Sequence, residues 1–585
     1  MLLIDARDLL PALAALAFAY PWAALALGRD RPALLTALTT LALSLGALTL
    51  GMLGLALTGA LRLGLVWGGM LAVFVLGMAL LAWRGSLRAA RSRARLRDGW
   101  RRLRSDPLAA LALAVILAIG ALVTFNLLYW PFNADDAVSI YAMQSRVIFE
   151  ARALPQDNGL YEAYPLLVPL SYAYAHLVAG AVHEYLALAF AAALSVGAFA
   201  ATGALGAALY DARTGLLAAL LLALTPIFVR WSATGYTDVP AGFFAALAAL
   251  FAWRMLRAGG QRDALLTGVM AGLAAWTKNS ALALAASAAL AVFYGMLPRH
   301  DGARLTLRHA ALAALGLLVT AGPWYARNVI EFGRLVPATV WTDRAQPTLQ
   351  NLIPFLTHAG IEQFFVPGAI LTLGSAACAI EALRLPGRER DSARVLLIFA
   401  LPFAAAWWRM ASYEVRFLMT ILPLVAVMGA RALVRLSEWL PFPSDEAARR
   451  VALITAAVLV VALALPAARK AVQYKDEIAR APRMSDAERH RVTLGGVYDV
   501  ARYLDALPAD GPILSDTYFL PFHVRTAPVV VGGLPRRSAL AGYRYLVLSP
   551  GSPLPGAMTD ADAALLAEID GYRVFRITYA GGPEP

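Results

Sequence analysis

Two adjacent aspartates stand in a polar segment directly after a long apolar stretch. Asp135 and Asp136 belong to Trp-Pro-Phe-Asn-Ala-Asp-Asp-Ala-Val-Ser-Ile-Tyr, which follows the apolar residues 107–129. Neighbouring carboxylates suit a general base or a metal ligand. They also suit a helix cap, because an aspartate side chain accepts backbone N–H bonds where a helix begins, here the helix predicted over residues 137–152. These residues alone leave both interpretations open.

A third acid and four cations stand at the ends of other apolar stretches. Asp238 precedes Val-Pro, and it either caps the next helix or joins the first two acids around a reacting hydroxyl. The cations are Lys278, Arg327, Arg409 and Arg416. Guanidinium and ammonium groups bind phosphate, so these side chains could hold a lipid phosphate. The alternative is snorkelling to the membrane surface or a local salt bridge to Glu331 or Glu414.

The elements that must position these residues are long apolar helices. The chain has 585 residues, of which 60% are hydrophobic and only 15% are charged, which excludes an ordinary water-soluble protein. Its apolar stretches are roughly 20 residues long, the length of a helix that crosses a hydrocarbon layer of about 30 Å. The sequence predicts an α-helical polytopic membrane protein with about 14 transmembrane helices. The predicted spans are residues 8–28, 32–60, 62–83, 107–129, 185–209, 214–229, 240–256, 263–277, 280–297, 307–323, 365–383, 395–409, 417–436 and 451–467.

Basic residues orient these spans. The net charge is +13, and its largest cluster lies in residues 84–106, between two apolar stretches. Because Lys and Arg accumulate in cytoplasmic loops, this segment is predicted to be cytoplasmic, and the charge is not taken as a sign of nucleic-acid binding. Residues 164–180 are apolar but short, so we expect an interfacial or re-entrant helix there. Alternation then places outside the segments 130–184, 230–239, 324–364, 410–416 and the tail from 468.

Four regions follow from this pattern. Residues 1–83 are predicted to form three extra N-terminal transmembrane helices, and residues 84–106 the cytoplasmic loop. Residues 107–467 are predicted to form the transmembrane catalytic region with the outer loop 130–184. Residues 468–585 are predicted to form a small extracytoplasmic α/β domain.

Within the tail, the residue pattern predicts three strands and two helices. They are a helix over 497–507, strands over 512–515 and 545–549, a helix that Thr559 caps and that runs through Ile569, and a last strand over 572–579. The only cysteine, Cys378, lies in a predicted span, which excludes a disulfide framework within one chain.

The order of these motifs resembles the GT-C superfamily of polyprenyl-phosphate-sugar-dependent glycosyltransferases, in particular the protein O-mannosyltransferase and lipid A aminoarabinose transferase families. The similarity covers roughly residues 107–585. The chain departs from the pattern at Asp136, where these families usually carry Glu, and in its first three spans, which have no counterpart in the simplest family pattern. The motifs are the acidic pair, Asp-Val-Pro at 238–240, Thr-Lys at 277–278, Pro-Trp-Tyr-Ala-Arg-Asn at 323–328 and Arg-Phe at 416–417.

The resemblance implies a GT-C fold and the transfer of a sugar from a polyprenyl-phosphate donor to an acceptor hydroxyl. The acceptor would be a lipid, a glycan or a protein, and a single displacement would invert the anomeric carbon. The protein would lie in the cytoplasmic membrane with its active site on the extracytoplasmic face. By the same resemblance, Asp135 matches the catalytic base, Asp136 its acidic neighbour and Asp238 the acid of the second outer loop.

The remaining site predictions concern substrate contacts. Lys278, Arg327 and Arg416 are predicted to bind the donor phosphate. The candidates for the substrate pocket are Tyr141, Arg146, Tyr236, Thr237, Trp324 and Tyr325. A divalent cation, Mg²⁺ or Mn²⁺, held by the three acids is compatible with the pattern, but nothing in the sequence requires it.

Two other functions share several of these features. A flippase or other transporter of lipid-linked saccharides also needs many spans and cations near a lipid phosphate, and a glycan polymerase or ligase uses the same kind of donor. A transporter is expected to bury charges near the bilayer midplane, whereas the notable charges here lie at the ends of the spans. The sequence therefore favours glycosyl transfer.

Overall fold

The computed structural model describes residues 4–28, 32–84, 106–155, 162–298, 301–336, 344–439, 445–532, 540, 542–554 and 562–578. Within these ranges the chain is mostly helical, with a five-stranded sheet near the C-terminus. Most of the predicted cytoplasmic loop 84–106 and the predicted cap Thr559 lie outside the described residues.

The described ranges contain α-helices of very different lengths. In chain order they are α1 (Ala6–Ala17), α2 (Tyr20–Leu27), α3 (Ala33–Leu57), α4 (Leu63–Trp83), α5 (Pro107–Tyr129), α6 (Met143–Ala151), α7 (Leu167–Ala179), α8 (Glu184–Leu209), α9 (Ala212–Ala223), α10 (Pro226–Ser232), α11 (Asp238–Ala258), α12 (Gln261–Thr277), α13 (Ala283–Met296), α14 (Leu307–Phe332), α15 (Pro354–Thr357), α16 (Phe365–Arg384), α17 (Gly387–Met410), α18 (Leu422–Trp439), α19 (Glu446–Ala471), α20 (Asp486–Leu494), α21 (Gly496–Asp505) and α22 (Leu520–His523). A π-helix covers Ala137–Ala142, and 3₁₀ turns cover Asn279–Leu282, Gln350–Leu352, Val415–Thr420, Lys475–Glu477 and Ala481–Arg483.

The multi-span architecture is confirmed, but the predicted number of 14 spans is not. In the described part of the chain, 11 helices are long and apolar enough to cross a membrane, or 12 if the bent pair α9 and α10 forms one span. The helix α12 has only 17 residues, and α18 carries Arg431, Arg435 and Glu438. Both are helices where spans were predicted, but the first is shorter and the second more charged than the helices counted as candidate spans.

Two helical features shape the interior near the predicted outer segments. The axes of α9 and α10 differ by 76°, and Pro226 occupies the first turn of α10, where its missing N–H leaves no bond unmade. The bend directs the following residues, through Asp238, into the protein interior. The helix α7 has 13 residues, of which 11 are buried, and its length of about 20 Å is too short to cross a bilayer. This agrees with the expectation that residues 164–180 do not span.

The segments predicted to lie outside meet at one end of the helix bundle. There Asp136 pairs with Arg416, and the indole N–H of Trp324 donates to the carbonyl of Ala163 at 3.2 Å. The segments predicted to lie inside meet at the other end, about 30 Å away along a helix of 21 residues such as α11. Ion pairs at that other end are Arg254–Asp263, Arg257–Asp301 and Arg431–Glu389.

The N-terminal helices belong to the same bundle. The indole N–H of Trp276 in α12 donates to Thr49 Oγ1 of α3 at 3.0 Å, and the Tyr174 hydroxyl of α7 donates to the Pro11 carbonyl at 3.1 Å. These contacts tie α1 to α7 and α3 to α12, whose last residue precedes Lys278.

The described residues between 486 and 578 form a compact unit, named here the C-terminal domain. Its strands are β1 (Ile513–Ser515), β2 (Val529–Val531), β3 (Tyr545–Leu548), β4 (Ala563–Ile569) and β5 (Tyr572–Ile577), in the sheet order β2-β1-β3-β5-β4. The strands β2, β1 and β3 are parallel, while β5 is antiparallel to both of its neighbours. The apolar side of α21, with Val497, Val500 and Leu504, packs against this sheet. The predicted α/β character is confirmed.

The predicted helix through Ile569 is wrong, because residues 563–569 form strand β4. Asp570 and Gly571 both have positive φ and join β4 to β5, so that Ile569 pairs directly with Tyr572. An Asp-Gly pair is a strong signal for such a two-residue hairpin, and the pairing with β5 overrides the helical preference of Ala, Leu and Glu in β4.

Candidate active site

Four charged residues from separate segments converge at the predicted outer end of the bundle. We call Asp136, Asp238, Lys278 and Arg416 the charge cluster. Arg416 Nη2 donates to Asp136 Oδ2 at 2.5 Å, and Lys278 Nζ donates to Asp238 Oδ1. The side chain of Asp136 is 27% exposed, whereas that of Asp238 is fully buried. Each acid therefore has its own cation, and the cluster as a whole is close to neutral.

The helix ends place the second pair of this cluster. Asp238 is the first residue of α11 and Lys278 directly follows the last residue of α12, so the two antiparallel helices bring them together. A carboxylate in the first turn of a helix is also stabilised by the helix dipole. The second carboxylate oxygen of Asp238 is buried and has no hydrogen-bond partner among the described residues. Oδ2 of Asp238 can thus still accept a hydrogen bond from a bound group.

Aromatic rings surround the two cations of the charge cluster. The guanidinium carbon of Arg416 lies 5.2 Å from the Trp231 ring centre and 4.8 Å from that of Tyr236. Lys278 Nζ lies 4.0 Å from the centre of the Phe417 ring. Cations over ring faces are attracted by the ring quadrupole, so these rings help to fix both positive charges in place.

Two tyrosines connect the acids to the surrounding backbone. The Tyr236 hydroxyl accepts a hydrogen bond from the backbone N–H of Asp136 at 2.9 Å. The Tyr141 hydroxyl accepts one from Thr237 Oγ1 at 3.0 Å. Burial, followed by the charges of Asp136 and Asp238, raises the pKa of Tyr141 well above its ordinary value of 10.0, so its phenol keeps its proton.

Asp135 makes no ion pair within the charge cluster and lines an adjoining open cavity of about 440 Å³, named here the Asp135 cavity, whose wall includes Trp231 and Tyr236, the rings beside Arg416. No described residue hydrogen-bonds to the Asp135 carboxylate or pairs with it. Three cations share the wall of this cavity: Arg230, Arg469 and Lys470. Lys470 also pairs with Glu362 at 2.7 Å. An exposed, unpartnered carboxylate beside several positive charges can take a proton from a bound hydroxyl.

The capping interpretation does not hold for Asp136 or Asp238. Asp136 precedes the π-helix Ala137–Ala142 and Asp238 begins α11, yet neither helix start has a side-chain capping bond. Their carboxylates turn to Arg416 and Lys278 instead. One turn of π-helix directly after the acidic pair is a geometry that recurs at functional sites.

Arg327 lies at the same end of the bundle but outside the charge cluster. It pairs with Glu331, the local partner that the sequence had offered as the alternative, and it donates to the Glu162 carbonyl at 3.1 Å. Trp324 is fully buried against Trp276, and the Tyr325 hydroxyl donates to the Ala275 carbonyl at 2.9 Å. The structure thus gives Arg327 and Trp324 roles in fixing the backbone of residues 162–163, whereas Tyr325 bonds the backbone of α12.

Arg146 contacts the C-terminal domain. Its guanidinium donates to the carbonyls of Pro521, Phe522 and Val524 at 2.6–3.0 Å and pairs with Glu150 at 2.6 Å. The structure therefore places Arg146 away from the charge cluster, beside which Tyr141, Tyr236 and Thr237 lie. Arg409, the fourth cation named from the sequence, is exposed near the end of α17.

The described residues do not fit a divalent-cation site. No group of three or more Asp, Glu, His or Cys side chains converges in the described part of the chain. Asp136 and Asp238 are engaged by Arg416 and Lys278, so a cation would have to displace both positive charges. We therefore derive no step through a metal.

Sequence reasoning missed the aromatic rings beside the two cations and two of the basic residues that line the Asp135 cavity. Trp231 and Phe417 are adjacent in sequence to Arg230 and Arg416, so a search for aromatic residues beside outer charges would have found them. Arg469 and Lys470 end the helix α19 on the predicted outer side, where positive residues are unusual. Positive residues on the predicted outer side could therefore have indicated from the sequence that Arg469 and Lys470 belong to the site.

Comparisons with known proteins agree with this architecture. Residues 163–326 match the family model described as dolichyl-phosphate-mannose-protein mannosyltransferase, a range that contains Asp238 and Lys278. ArnT from Cupriavidus metallidurans, bound to undecaprenyl phosphate or in the apo state, aligns with a TM-score of 0.55 and 15% identity over 81% of this chain and 99% of that chain. The archaeal oligosaccharyltransferase AglB from Archaeoglobus fulgidus aligns with a TM-score of 0.46 and 12% identity over 75% of this chain and 69% of that chain. No match was found among curated proteins.

The chain is a multi-span membrane protein with an ArnT-like GT-C fold. The predicted resemblance to the GT-C superfamily is confirmed by the family match and the structural likeness together.

Proposed function

We propose that the protein is a membrane glycosyltransferase that moves a sugar from a polyprenyl phosphate to an acceptor hydroxyl. The observation that carries this proposal is the convergence of the charge cluster with Asp135 at one end of the bundle. Two fixed cations, a free carboxylate and an open cavity are the parts that such a transfer needs. The arginine-rich loops at the opposite end favour a cytoplasmic membrane protein with an extracytoplasmic site.

Asp135 is the proposed general base. As the acceptor oxygen attacks the anomeric carbon, the Asp135 carboxylate takes the hydroxyl proton, and a new carbon–oxygen bond forms. The bond between the anomeric carbon and the phosphate oxygen breaks at the same time, and its electron pair leaves with the polyprenyl phosphate. The negative charge of the leaving group therefore increases by one, and attack opposite the leaving group inverts the anomeric centre.

Lys278 and Arg416 are proposed to stabilise the charge on the leaving phosphate. Both are held in place by acids and aromatic rings before any substrate binds, and preorganised charges stabilise a developing charge most effectively. Arg230, Arg469 and Lys470 face the Asp135 cavity and supply further positive charge there. Arg327, which is tied to Glu331, would support the wall of the site.

The likeness to ArnT supports the choice of donor. ArnT was crystallised with undecaprenyl phosphate, which is a polyprenyl phosphate, and this chain aligns with nearly all of that protein. The acceptor is proposed only by its chemistry, a hydroxyl on a lipid, a glycan or a protein that can enter the Asp135 cavity.

The test follows the sugar of the donor. Wild type and Asp135→Asn would be purified in detergent and mixed with polyprenyl-phosphate sugars labelled in the sugar and with crude membranes as acceptor. Asp106→Asn is the matched control, because Asp106 only caps α5 and asparagine caps equally well. We expect wild type and the control to consume donor, and Asp135→Asn to lose at least about 100-fold in rate.

Three outcomes would contradict the proposal. Equal activity of Asp135→Asn would remove the assigned base. Movement of intact labelled lipid across liposomes, without cleavage of the sugar–phosphate bond, would identify a transporter. Consumption of lipid-linked oligosaccharides alone would identify a polymerase or ligase.

A further inference from the structure

The C-terminal domain contacts both sides of the chain segment that carries Asp135 and Asp136. We call residues 131–142 the acidic segment. Its first residues are irregular and its last residues form the π-helix, so little regular hydrogen bonding fixes the two aspartates. Whatever contacts its two flanks therefore determines where the carboxylates lie.

After the acidic segment, the contact is made by Arg146. Its side chain is only 8% exposed, and Nη1 donates to the carbonyls of Pro521 at 3.0 Å, Phe522 at 2.8 Å and Val524 at 2.6 Å. These carbonyls end the short helix α22, where backbone acceptors lack helical partners. The guanidinium of Arg146 thus caps the C-terminal end of α22 in the C-terminal domain. Arg146 itself lies in α6, which directly continues the acidic segment.

Before the aspartates, the contact runs through Glu184. Its Oε2 accepts the backbone N–H of Phe132 at 2.8 Å, and its Oε1 lies 3.0 Å from Nε2 of His490 in the C-terminal domain. The Phe132 ring also meets the Phe522 ring edge to face, with the ring centres 5.8 Å apart. A single buried carboxylate therefore joins the backbone three residues before Asp135 to the C-terminal domain.

From these two contacts we infer that the C-terminal domain holds the acidic segment in its reactive geometry, with Arg146 and Glu184 as positioning residues. This inference rests on the proposed function, because it concerns the aim of the proposed base Asp135. Neither residue touches the Asp135 cavity, so both act through backbone position. Displacement of a catalytic group by about 1 Å can lower a rate about 100-fold.

Other contacts between the domain and the bundle do not touch the acidic segment, and they provide the matched control. The Tyr185 hydroxyl donates to Asp486 Oδ1 at 2.6 Å at the same interface. Tyr185→Phe removes one interface hydrogen bond and leaves both flanks of the acidic segment intact. A merely structural role for the interface predicts the same effect from this variant as from a variant of Arg146.

The experiment compares Arg146→Ala, Arg146→Lys and Tyr185→Phe with wild type in the donor-consumption assay. We expect Arg146→Ala to lower kcat about tenfold or more while KM for the donor changes less than about twofold, since Lys278 and Arg416 remain in place. Arg146→Lys should recover part of kcat, because an ammonium can still donate to two of the carbonyls. Tyr185→Phe should leave kcat unchanged.

A second readout does not depend on activity. Hydrogen–deuterium exchange of the peptide that covers residues 131–142 should become at least about threefold faster in Arg146→Ala and stay at the wild-type rate in Tyr185→Phe. If Arg146→Ala does not fold, His490→Phe replaces it, with His490→Gln as the variant that keeps a donor toward Glu184. The same contrast in kcat and exchange is expected.

The outcomes separate this inference from the proposed function. An unchanged exchange rate and kcat in Arg146→Ala, with an active wild type, would overturn the inference and leave the transferase intact. A change in KM alone, or an equal loss in Tyr185→Phe, would also overturn it. A wild type that consumes no donor would overturn the proposed function, and the exchange rates would still decide whether the C-terminal domain orders the acidic segment.

Discussion

The carboxylate of Asp136 and the guanidinium of Arg416 meet at 2.5 Å although 280 residues separate them in the chain. The contact closes the site across the bundle, because Asp136 follows α5 and Arg416 precedes α18. It also turns one member of the acidic pair away from Asp135, so the two neighbouring carboxylates have different surroundings. One is paired and half-buried, and the other is exposed to the cavity.

The first prediction concerns this pair. Arg416→Ala leaves Asp136 without its cation and should lower both the midpoint of thermal unfolding and the rate of donor consumption. The double variant with Asp136→Asn should recover part of the stability but no activity, since the cation for the phosphate is still missing. In the double-mutant cycle we expect a coupling of about 1–3 kcal/mol. The exposed pair Arg450–Glu446 is the control, for which the cycle should give less than about 1 kcal/mol.

The second prediction concerns the buried pair Asp238–Lys278. Lys278→Met leaves an uncompensated carboxylate in a fully buried position, which should destabilise the protein by about 3–5 kcal/mol. Adding Asp238→Asn removes the buried charge, so the double variant should unfold at a higher temperature than Lys278→Met alone. Thermal unfolding in detergent, followed by tryptophan fluorescence, measures both. A double variant that is less stable than Lys278→Met would contradict the assigned pair.

The members of the charge cluster could be named from the sequence because a bilayer accepts charges only at the ends of spans. Asp238 begins the apolar helix α11, and Lys278 directly follows the apolar helix α12. Because these two helices are antiparallel, both residues lie at the same end of the bundle. Their partners could not be assigned in the same way. Arg327 and Arg416 stand at the same end, yet the first pairs with a residue four positions away and the second with one 280 positions away.

The remaining differences have local causes that the sequence pattern did not resolve. Arg146 was predicted to line a substrate pocket, but its side chain points to the C-terminal domain. The periodicity of apolar residues does not predict where that domain lies against the bundle. Strand β4 has helix-forming residues, and only the Asp570-Gly571 turn reveals the hairpin. The span number differs because α12 has only 17 residues and α18 carries three charged residues, so neither matches the length and apolar composition of the 11 candidate spans.

The third prediction concerns the packing of α12, whose last residue precedes Lys278. A Cβ at Gly268 would lie 1.8 Å from the carbonyl oxygen of Ala313 in α14. Gly268→Ala should therefore separate the two helices and lower stability by about 1–3 kcal/mol, with loss of activity as Lys278 shifts. Gly120→Ala in α5 is the control, because nothing lies within 4 Å of a Cβ there. Equal unfolding temperatures of the two variants would show that α12 and α14 are not so closely packed.

The fourth prediction is a pH dependence at the interface of the C-terminal domain. His490 Nε2 faces the Glu184 carboxylate at 3.0 Å and Nδ1 faces the Asp486 carbonyl at 2.9 Å, and two acceptors around one ring favour its doubly protonated form. Burial alone would lower the pKa of His490, but the hydrogen bond and charge of Glu184 raise it above its ordinary value of 6.5. The other groups that face the ring are the Asp486 carboxylate at 3.6 Å, His523 and Tyr498.

Because the pKa of His490 is raised in the folded protein, its contribution to stability is fully present below pH 6.5 and is lost as the pH rises through the folded pKa. The unfolding midpoint of wild type minus that of His490→Gln should therefore be largest near pH 6 and decrease toward pH 9. His523 is the control with the opposite sign. Burial lowers the pKa of His523 to about 4, so its difference from His523→Gln should stay flat above pH 6.5 and fall between pH 6.5 and 4. A His490 difference that does not change between pH 6 and 9 would show that the ring is neutral and that Glu184 holds the C-terminal domain without an ion pair.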